Sequence, residues 1–144
     1  MIEIFKSVIV ISLLILEGII DFKKREISLT GPIIVSFLAI ALLILNPDRS
    51  IMEALIGLAE GLVIILFSFA SNEAIGYGDG IILCSTGLLL GWRENLIMFF
   101  WACLLCALFS IALLILKKAD KKTKIAFVPF MAPAFLITIF TYGR

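Results

Sequence analysis

The sequence predicts an all-α integral membrane protein, a polytopic bundle of about six transmembrane helices in which the fourth helix is short. Of its 144 residues, 62% are hydrophobic and 16% are charged, compared with roughly 45–50% and 25% in soluble domains. The mean hydropathy is +1.20. Because the polar segments between the apolar stretches are too short for a second folded unit, we expect one membrane domain over residues 1–144.

Six apolar stretches carry the predicted helices. They are residues 4–20, 30–45, 51–70, 80–92, 96–116 and 125–142. At a rise of about 1.5 Å per residue, most of them can cross a hydrocarbon layer of about 30 Å when flanking side chains snorkel or the layer thins. The fourth stretch has about 13 residues and spans only roughly 20 Å. Its helix is expected either to begin within the membrane or to extend back through the preceding glycines.

The first stretch is interpreted as a retained helix, not as a secretory signal. No small-residue cleavage site follows it, and a basic run, Lys23-Lys24-Arg25, lies at its C-terminal side, the wrong end for a signal peptide. Lysine and arginine are concentrated in the loops after the first and fifth stretches, which places those loops in the cytoplasm and both termini outside. The loop after the third stretch then lies on the same inner face.

Two aspartates occupy this predicted inner edge. Asp21 ends the first stretch, and Asp79 closes the run Gly76-Tyr77-Gly78-Asp79 before the fourth. A carboxylate at the edge of a bilayer loses hydration and holds its proton to higher pH, which suits acid and base catalysis. Gly76 and Gly78 would let a substrate backbone approach closely and permit positive φ beside Asp79. The pair is a candidate active site, although charged residues at helix ends often do no more than mark the interface.

These residues resemble the type IV prepilin peptidases, membrane aspartic proteases of the GxGD kind. Residues 21–27, with the sequence DFKKREI, match the family's first motif, and the second motif matches at Gly76, Gly78, Asp79, Gly87 and Gly91. Near the C-terminus, Val128-Pro129-Phe130 and Pro133 resemble the family's apolar Pro-Phe segment. The chain departs from the family at Ser28-Leu29, where Pro-Asn is usual, and at Ile81, where lysine is usual.

The resemblance implies that Asp21 and Asp79 form a catalytic dyad that activates water without a metal or cofactor, and that Pro129 and Phe130 help to shape the site. It implies a membrane-anchored partner, a type IV prepilin-like or pseudopilin precursor whose short basic leader is cleaved at the cytoplasmic face of a prokaryotic plasma membrane. The chain resembles a short form that lacks the CxxC-containing loop associated with N-methylation. We therefore expect no methyltransferase activity.

Further acidic residues are candidates for shaping the site or for contacting the substrate. Glu17 lies four residues before Asp21 and shares its helix face. Glu60 lies within the third stretch, where a carboxylate must face the bundle interior or a polar cavity, so a functional role and a structural hydrogen bond both fit it. Glu26 and Glu73 lie in the inner loops, where they would either meet a basic leader or be solvated.

Composition excludes several other classes. The net charge of +1 gives no basic surface for nucleic acid, and the absence of histidine excludes mechanisms that depend on imidazole. Cys103 and Cys106 lie within an apolar stretch without a second ligand pair, which favours packing over a metal site or a disulfide. Two non-enzymatic alternatives stay open: a small transporter or proton- or cation-binding bundle, which predicts ion flux in liposomes, and an inactive scaffold of a secretion system.

Overall fold

The structure, a computed structural model, describes residues 2–24, 27–46, 50–70, 76–116 and 125–142. The described residues form six α-helices and no strand. The helices are α1 (Ile2–Lys24), α2 (Thr30–Leu45), α3 (Ile51–Ala70), α4 (Tyr77–Leu90), α5 (Trp92–Ile115) and α6 (Val128–Tyr142). With 14 residues, α4 is the shortest of them. The predicted all-α membrane bundle with a short fourth helix is confirmed.

Several helix boundaries differ from the apolar stretches; α6, for example, begins at Val128 and not at residue 125. Helix α1 continues through Asp21 to Lys24, so Asp21 is a helical residue. Helix α4 begins at Tyr77, which means that it extends back into the glycine motif. Helix α5 begins four residues before the predicted start, because Gly91, with φ of 89°, forms a one-residue joint and donates its backbone N–H to the Gly87 carbonyl at 2.9 Å. Hydropathy marks apolar residues and therefore missed the polar first turn of α5.

Helices α3 and α4 are antiparallel and pack through glycine. Gly57 lies against Gly87, and Gly61 lies against Cys84. A Cβ atom added at Gly57 would lie 2.8 Å from the carbonyl carbon of Gly87, and one added at Gly61 would lie 2.5 Å from the Cys84 sulfur. The two backbones are thus in direct contact. Small residues permit this close approach between membrane helices.

The exterior of the bundle is apolar. Large side chains project outward along the helices, with Phe140 of α6 84% exposed. Helices α3 and α5 are long and apolar enough to cross a membrane by length and composition, and α2, α4 and α6 are shorter apolar helices. Such a surface is costly in water, at about 25 cal/mol per Å² of apolar area, and is suited to lipid.

The ends of three helices meet at one end of the bundle, which we call the site end. It is formed by the C-terminal end of α1 and the N-terminal ends of α4 and α6. The loop residue Ile27, which follows α1, lies against Gly78 of α4, and Asp21 of α1 contacts Val128 of α6. Asp21 and Asp79 both lie here.

Candidate active site

Asp21 is held against the first turn of α6. Its side chain is 8% exposed, and its Oδ2 accepts a hydrogen bond from the backbone N–H of Val128 at 3.2 Å. Val128 is the first residue of α6, and the amides of a first helical turn have no partner within their own helix. A carboxylate is favoured there because the helix dipole is positive at its N-terminus. Asp21 therefore caps a helix that is remote from it in sequence.

Gly18 and Pro129 bring α1 and α6 together beside Asp21. A Cβ atom added at Gly18 would lie 3.3 Å from the Pro129 Cα. The missing side chain lets α1 approach the start of α6 closely enough for Asp21 to reach the Val128 amide. Pro129, predicted to shape the site, thus borders it. Phe130 packs on the ring of Phe109 in α5, with ring centroids 5.3 Å apart.

Asp79 lies in the first turn of α4 and is 6% exposed. Its backbone N–H donates to the Gly76 carbonyl at 3.1 Å, and its carboxylate accepts a hydrogen bond from the Gly76 backbone N–H. Gly76 is the N-cap residue, so Asp79 occupies the third helical position and makes the side-chain half of a capping box. This arrangement fixes the carboxylate beside the start of its own helix.

The two glycines of the motif provide space for the protein's own side chains. A Cβ atom added at Gly76 would lie 2.8 Å from Asp79 Oδ2, and one added at Gly78 would lie 2.8 Å from the Ile27 Cβ. The expected positive φ beside Asp79 was wrong: Gly76 has φ of −62°, and Gly91 is the one glycine with positive φ among the described residues. Close packing, not turn handedness, requires glycine at these two positions.

Asp21 and Asp79 are brought together. They come from α1 and α4, which are separated by two helices in sequence, and they lie at the same end of the bundle. Both residues are buried. Each carboxylate is also oriented by a backbone N–H at a helix start. Buried carboxylates placed in this way are candidates for acid and base catalysis.

Glu17 fastens the connection between α1 and α2. It is 2% exposed, and its Oε2 accepts the backbone N–H of Ser28 at 3.0 Å. A Cβ atom added at Gly31 of α2 would lie 2.5 Å from Glu17 Oε1. Ser28 replaces a proline that is usual in the resembling family, and proline has no N–H to donate. This departure therefore creates a hydrogen bond one helical turn from Asp21.

Glu60 lies away from the two aspartates and is half-buried, beside the buried polar residues Asn95 and Thr86. The side-chain amide of Asn95 donates to Glu60 Oε2 at 2.9 Å and to the Leu83 carbonyl at 3.3 Å, and the Thr86 hydroxyl donates to Asn95 Oδ1 at 2.7 Å. Thr86 follows Asp79 by seven positions, about 10 Å along α4. Glu60 thus has the structural hydrogen bond considered from sequence, and its contact with a substrate stays a prediction.

Asn95 and Thr86 were not predicted from the sequence. The sequence does contain a clue to them: both residues lie within apolar segments, and a buried asparagine or threonine needs hydrogen-bond partners. Glu26 and Glu73, the two loop acids considered as substrate contacts, lie outside the described residues.

Comparisons with known proteins identify the family that the chain resembles. Residues 8–111 match the model of the type IV leader peptidase family. The prepilin leader peptidase/N-methyltransferase of Bacillus subtilis (strain 168) is 27% identical over 144 residues, which cover 98% of this chain and 57% of the relative. The protein of the same description from Aeromonas salmonicida (strain A449) is 29% identical over 93 residues, covering 60% of this chain and 32% of the relative. The chain therefore spans little more than half of the Bacillus subtilis relative's length. No solved structure matches significantly.

Proposed function

The chain belongs to the type IV leader peptidase family, and from this premise we propose that it is an aspartic endopeptidase whose catalytic residues are Asp21 and Asp79. The observation that supports this proposal is the position of the two aspartates. Two buried carboxylates from helices distant in sequence lie at one end of the bundle, each beside the start of a helix. In an apolar chain, such a placement is costly unless the groups are used or paired.

The proposed chemistry uses the pair as one unit. Repulsion between the carboxylates keeps a single proton shared between them, so one is ionised while the other carries the proton. The ionised group takes a proton from water as the water oxygen bonds to the scissile carbonyl carbon, and the protonated group donates to the carbonyl oxygen. When the C–N bond breaks, one aspartate donates its proton to the leaving nitrogen, and a hydroxyl group of the tetrahedral diol returns a proton to the other, so the pair again holds a single proton. The products are a carboxylic acid and an amine.

The fixed hydrogen bonds support this assignment. The Val128 amide holds one oxygen of Asp21, and the Gly76 amide holds the carboxylate of Asp79. A carboxylate whose position is set by backbone needs little reorganisation when a water molecule and a peptide bond arrive. Because a carboxylate has several lone-pair sites, one such bond does not prevent it from accepting a proton from water.

The protein is a membrane protein of a prokaryote, as its family and apolar helices indicate. Within that description, the proposal places the site end at the cytoplasmic face and both termini outside, because the loops after α1 and α5 carry the excess of lysine and arginine. The proposed substrate is a type IV prepilin-like or pseudopilin precursor with a basic cytoplasmic leader. The proposal covers the peptidase activity only, although the relatives' names include N-methyltransferase.

Processing of a tagged precursor tests the dyad. The precursor is co-expressed with the wild type, Asp21→Asn, Asp79→Asn and a control, Thr141→Ala, whose hydroxyl bonds only within α6 at the end away from the site. We expect the wild type and the control to shorten the precursor, and both asparagine variants to leave it full length at equal membrane abundance. Complete processing by either asparagine variant would show that the dyad is wrong. Ion flux in liposomes without processing would support the transporter alternative instead.

A further inference from the structure

A polar cluster ties α4 to its neighbours beyond Asp79. We call it the Asn95 cluster: Glu60 of α3, Leu83 and Thr86 of α4, and Asn95 of α5. Asn95 and Thr86 are both 0% exposed. The Asn95 amide uses its two N–H groups on Glu60 Oε2 and the Leu83 carbonyl, and its oxygen accepts from Thr86. One side chain of α5 therefore bonds to both α3 and α4.

The hydrogen bonds of the Asn95 cluster matter because of the way in which α3 and α4 pack. Gly57 lies on Gly87 and Gly61 on Cys84, so backbone meets backbone over this stretch. Contact between these backbones is van der Waals packing, which is not directional. Directional hydrogen bonds, in contrast, have narrow limits of distance and angle. In the low dielectric of the interior, leaving a partner unsatisfied is also costly.

The Asn95 cluster lies close enough to Asp79 to affect the position of its carboxylate. Leu83 follows Asp79 by four positions, about 6 Å along the helix axis. Helix α4 has 14 residues and continuous helical structure, so a shift at Leu83 or Thr86 displaces the first turn as well. Asp79 lies in that turn, at the same end of the bundle as Asp21.

We propose that Asn95 is a positioning residue: by bonding to Glu60, Leu83 and Thr86, it sets the rotation and depth of α4 and thereby aims the Asp79 carboxylate. The inference rests on the proposed peptidase function for its effect on rate. Its effect on the placement of α4 does not depend on that function.

A reversal of the hydrogen bond provides the test. Asn95→Asp replaces a donor by an acceptor, so that two carboxyl groups face each other and the Leu83 carbonyl loses its hydrogen bond from residue 95. Adding Glu60→Gln supplies an amide donor to the new carboxylate and restores the link between α3 and α5 in the opposite direction, although not the bond to the Leu83 carbonyl. We expect Asn95→Asp to lower kcat for precursor cleavage by about 10- to 100-fold, with KM changed by less than about threefold, because a misplacement of about 1 Å can cost about 100-fold. The double variant should regain most of that loss.

Ser110→Ala is the matched control on the same helix. The Ser110 hydroxyl bonds to the Cys106 carbonyl within α5 and does not link helices, so this variant should keep the parental kcat. Thr86→Val is a milder variant for use if Asn95→Asp does not accumulate in the membrane. It removes one hydrogen bond of the cluster while nearly preserving side-chain shape, and we expect a loss of about threefold or more in kcat.

The rate of Cys84 alkylation reports the position of α4 and does not depend on peptidase activity. Cys84 is half-buried, packs against Gly61, and its thiol donates to the Leu58 carbonyl at 3.6 Å. In a Cys103→Ser, Cys106→Ser background, a membrane-permeant maleimide should label Cys84 slowly. Labelling should accelerate in Asn95→Asp and slow again when Glu60→Gln is added.

Two results would overturn the inference: a folded Asn95→Asp variant with parental kcat and labelling, or a double variant that recovers neither. If the parent cleaves no precursor while Cys84 labelling follows the expected pattern, the peptidase proposal fails and the role of Asn95 in placing α4 stands.

Discussion

Replacing Ser28 by proline tests whether the Glu17 carboxylate stabilises the inner connection between α1 and α2. The substitution removes the backbone N–H that donates to Glu17 Oε2 at 3.0 Å. Because Glu17 is 2% exposed, water does not readily replace the lost donor. Leaving a buried acceptor unsatisfied costs about 1–3 kcal/mol, and we expect the free energy of unfolding to fall by that amount.

A double-mutant cycle separates this hydrogen bond from other effects of proline. Ser28→Ala keeps the N–H and serves as the matched control, with an expected loss below about 0.5 kcal/mol. In a Glu17→Ala background no acceptor is left, so Ser28→Pro should cost at least about 1 kcal/mol less than in the parent. The assay is reversible unfolding in detergent micelles followed by circular dichroism.

Equal stability of the proline and alanine variants at position 28 would contradict this role of Glu17. An equal proline penalty with and without Glu17 would contradict it too, since the penalty would then come from the backbone alone. In either case, the serine that replaces the family's usual proline would not stabilise the connection through its N–H.

Two further predictions concern the aspartates. Gly76→Ala places a Cβ atom 2.8 Å from Asp79 Oδ2, so we expect precursor processing to fall by about 10-fold or more at normal membrane abundance; an unchanged rate would show that the Asp79 carboxylate can move without loss. Asp21→Asn keeps an acceptor for the Val128 amide and should abolish processing with a stability loss below about 0.5 kcal/mol, whereas Asp21→Leu also removes the cap and should cost about 1 kcal/mol more in thermal or denaturant unfolding. Equal stability of the two variants would argue against the capping role.

The aspartates illustrate what could be predicted at the active site. Their positions at the ends of apolar stretches, together with the alternation of helix direction, were enough to place Asp21 and Asp79 at one end of the bundle. Their partners were not predictable. Asp21 caps α6 through Val128, 107 positions away in sequence, and no local pattern specifies so distant a hydrogen bond.

The glycines and the buried amide illustrate the same limit. Gly76 and Gly78 were expected to permit positive φ, and they make room for Asp79 and for Ile27. The approach of a substrate backbone to them stays a prediction. Asn95 was not predicted to have a role, because its role depends on hydrogen bonds with Glu60 and Thr86, which lie on two other helices. A side chain's role in such cases depends on what the fold places opposite it.

The membrane class, about six helices and the short fourth helix were all predictable from the apolar stretches. These features depend on the composition and length of consecutive segments, so they can be predicted by going along the sequence. The hydrogen-bond partners could be identified only from the packed helices. They are the amides that hold each aspartate, the backbone N–H that binds Glu17 and the three partners of Asn95. These contacts join residues that are distant in sequence, and their geometry exists only once the helices have packed.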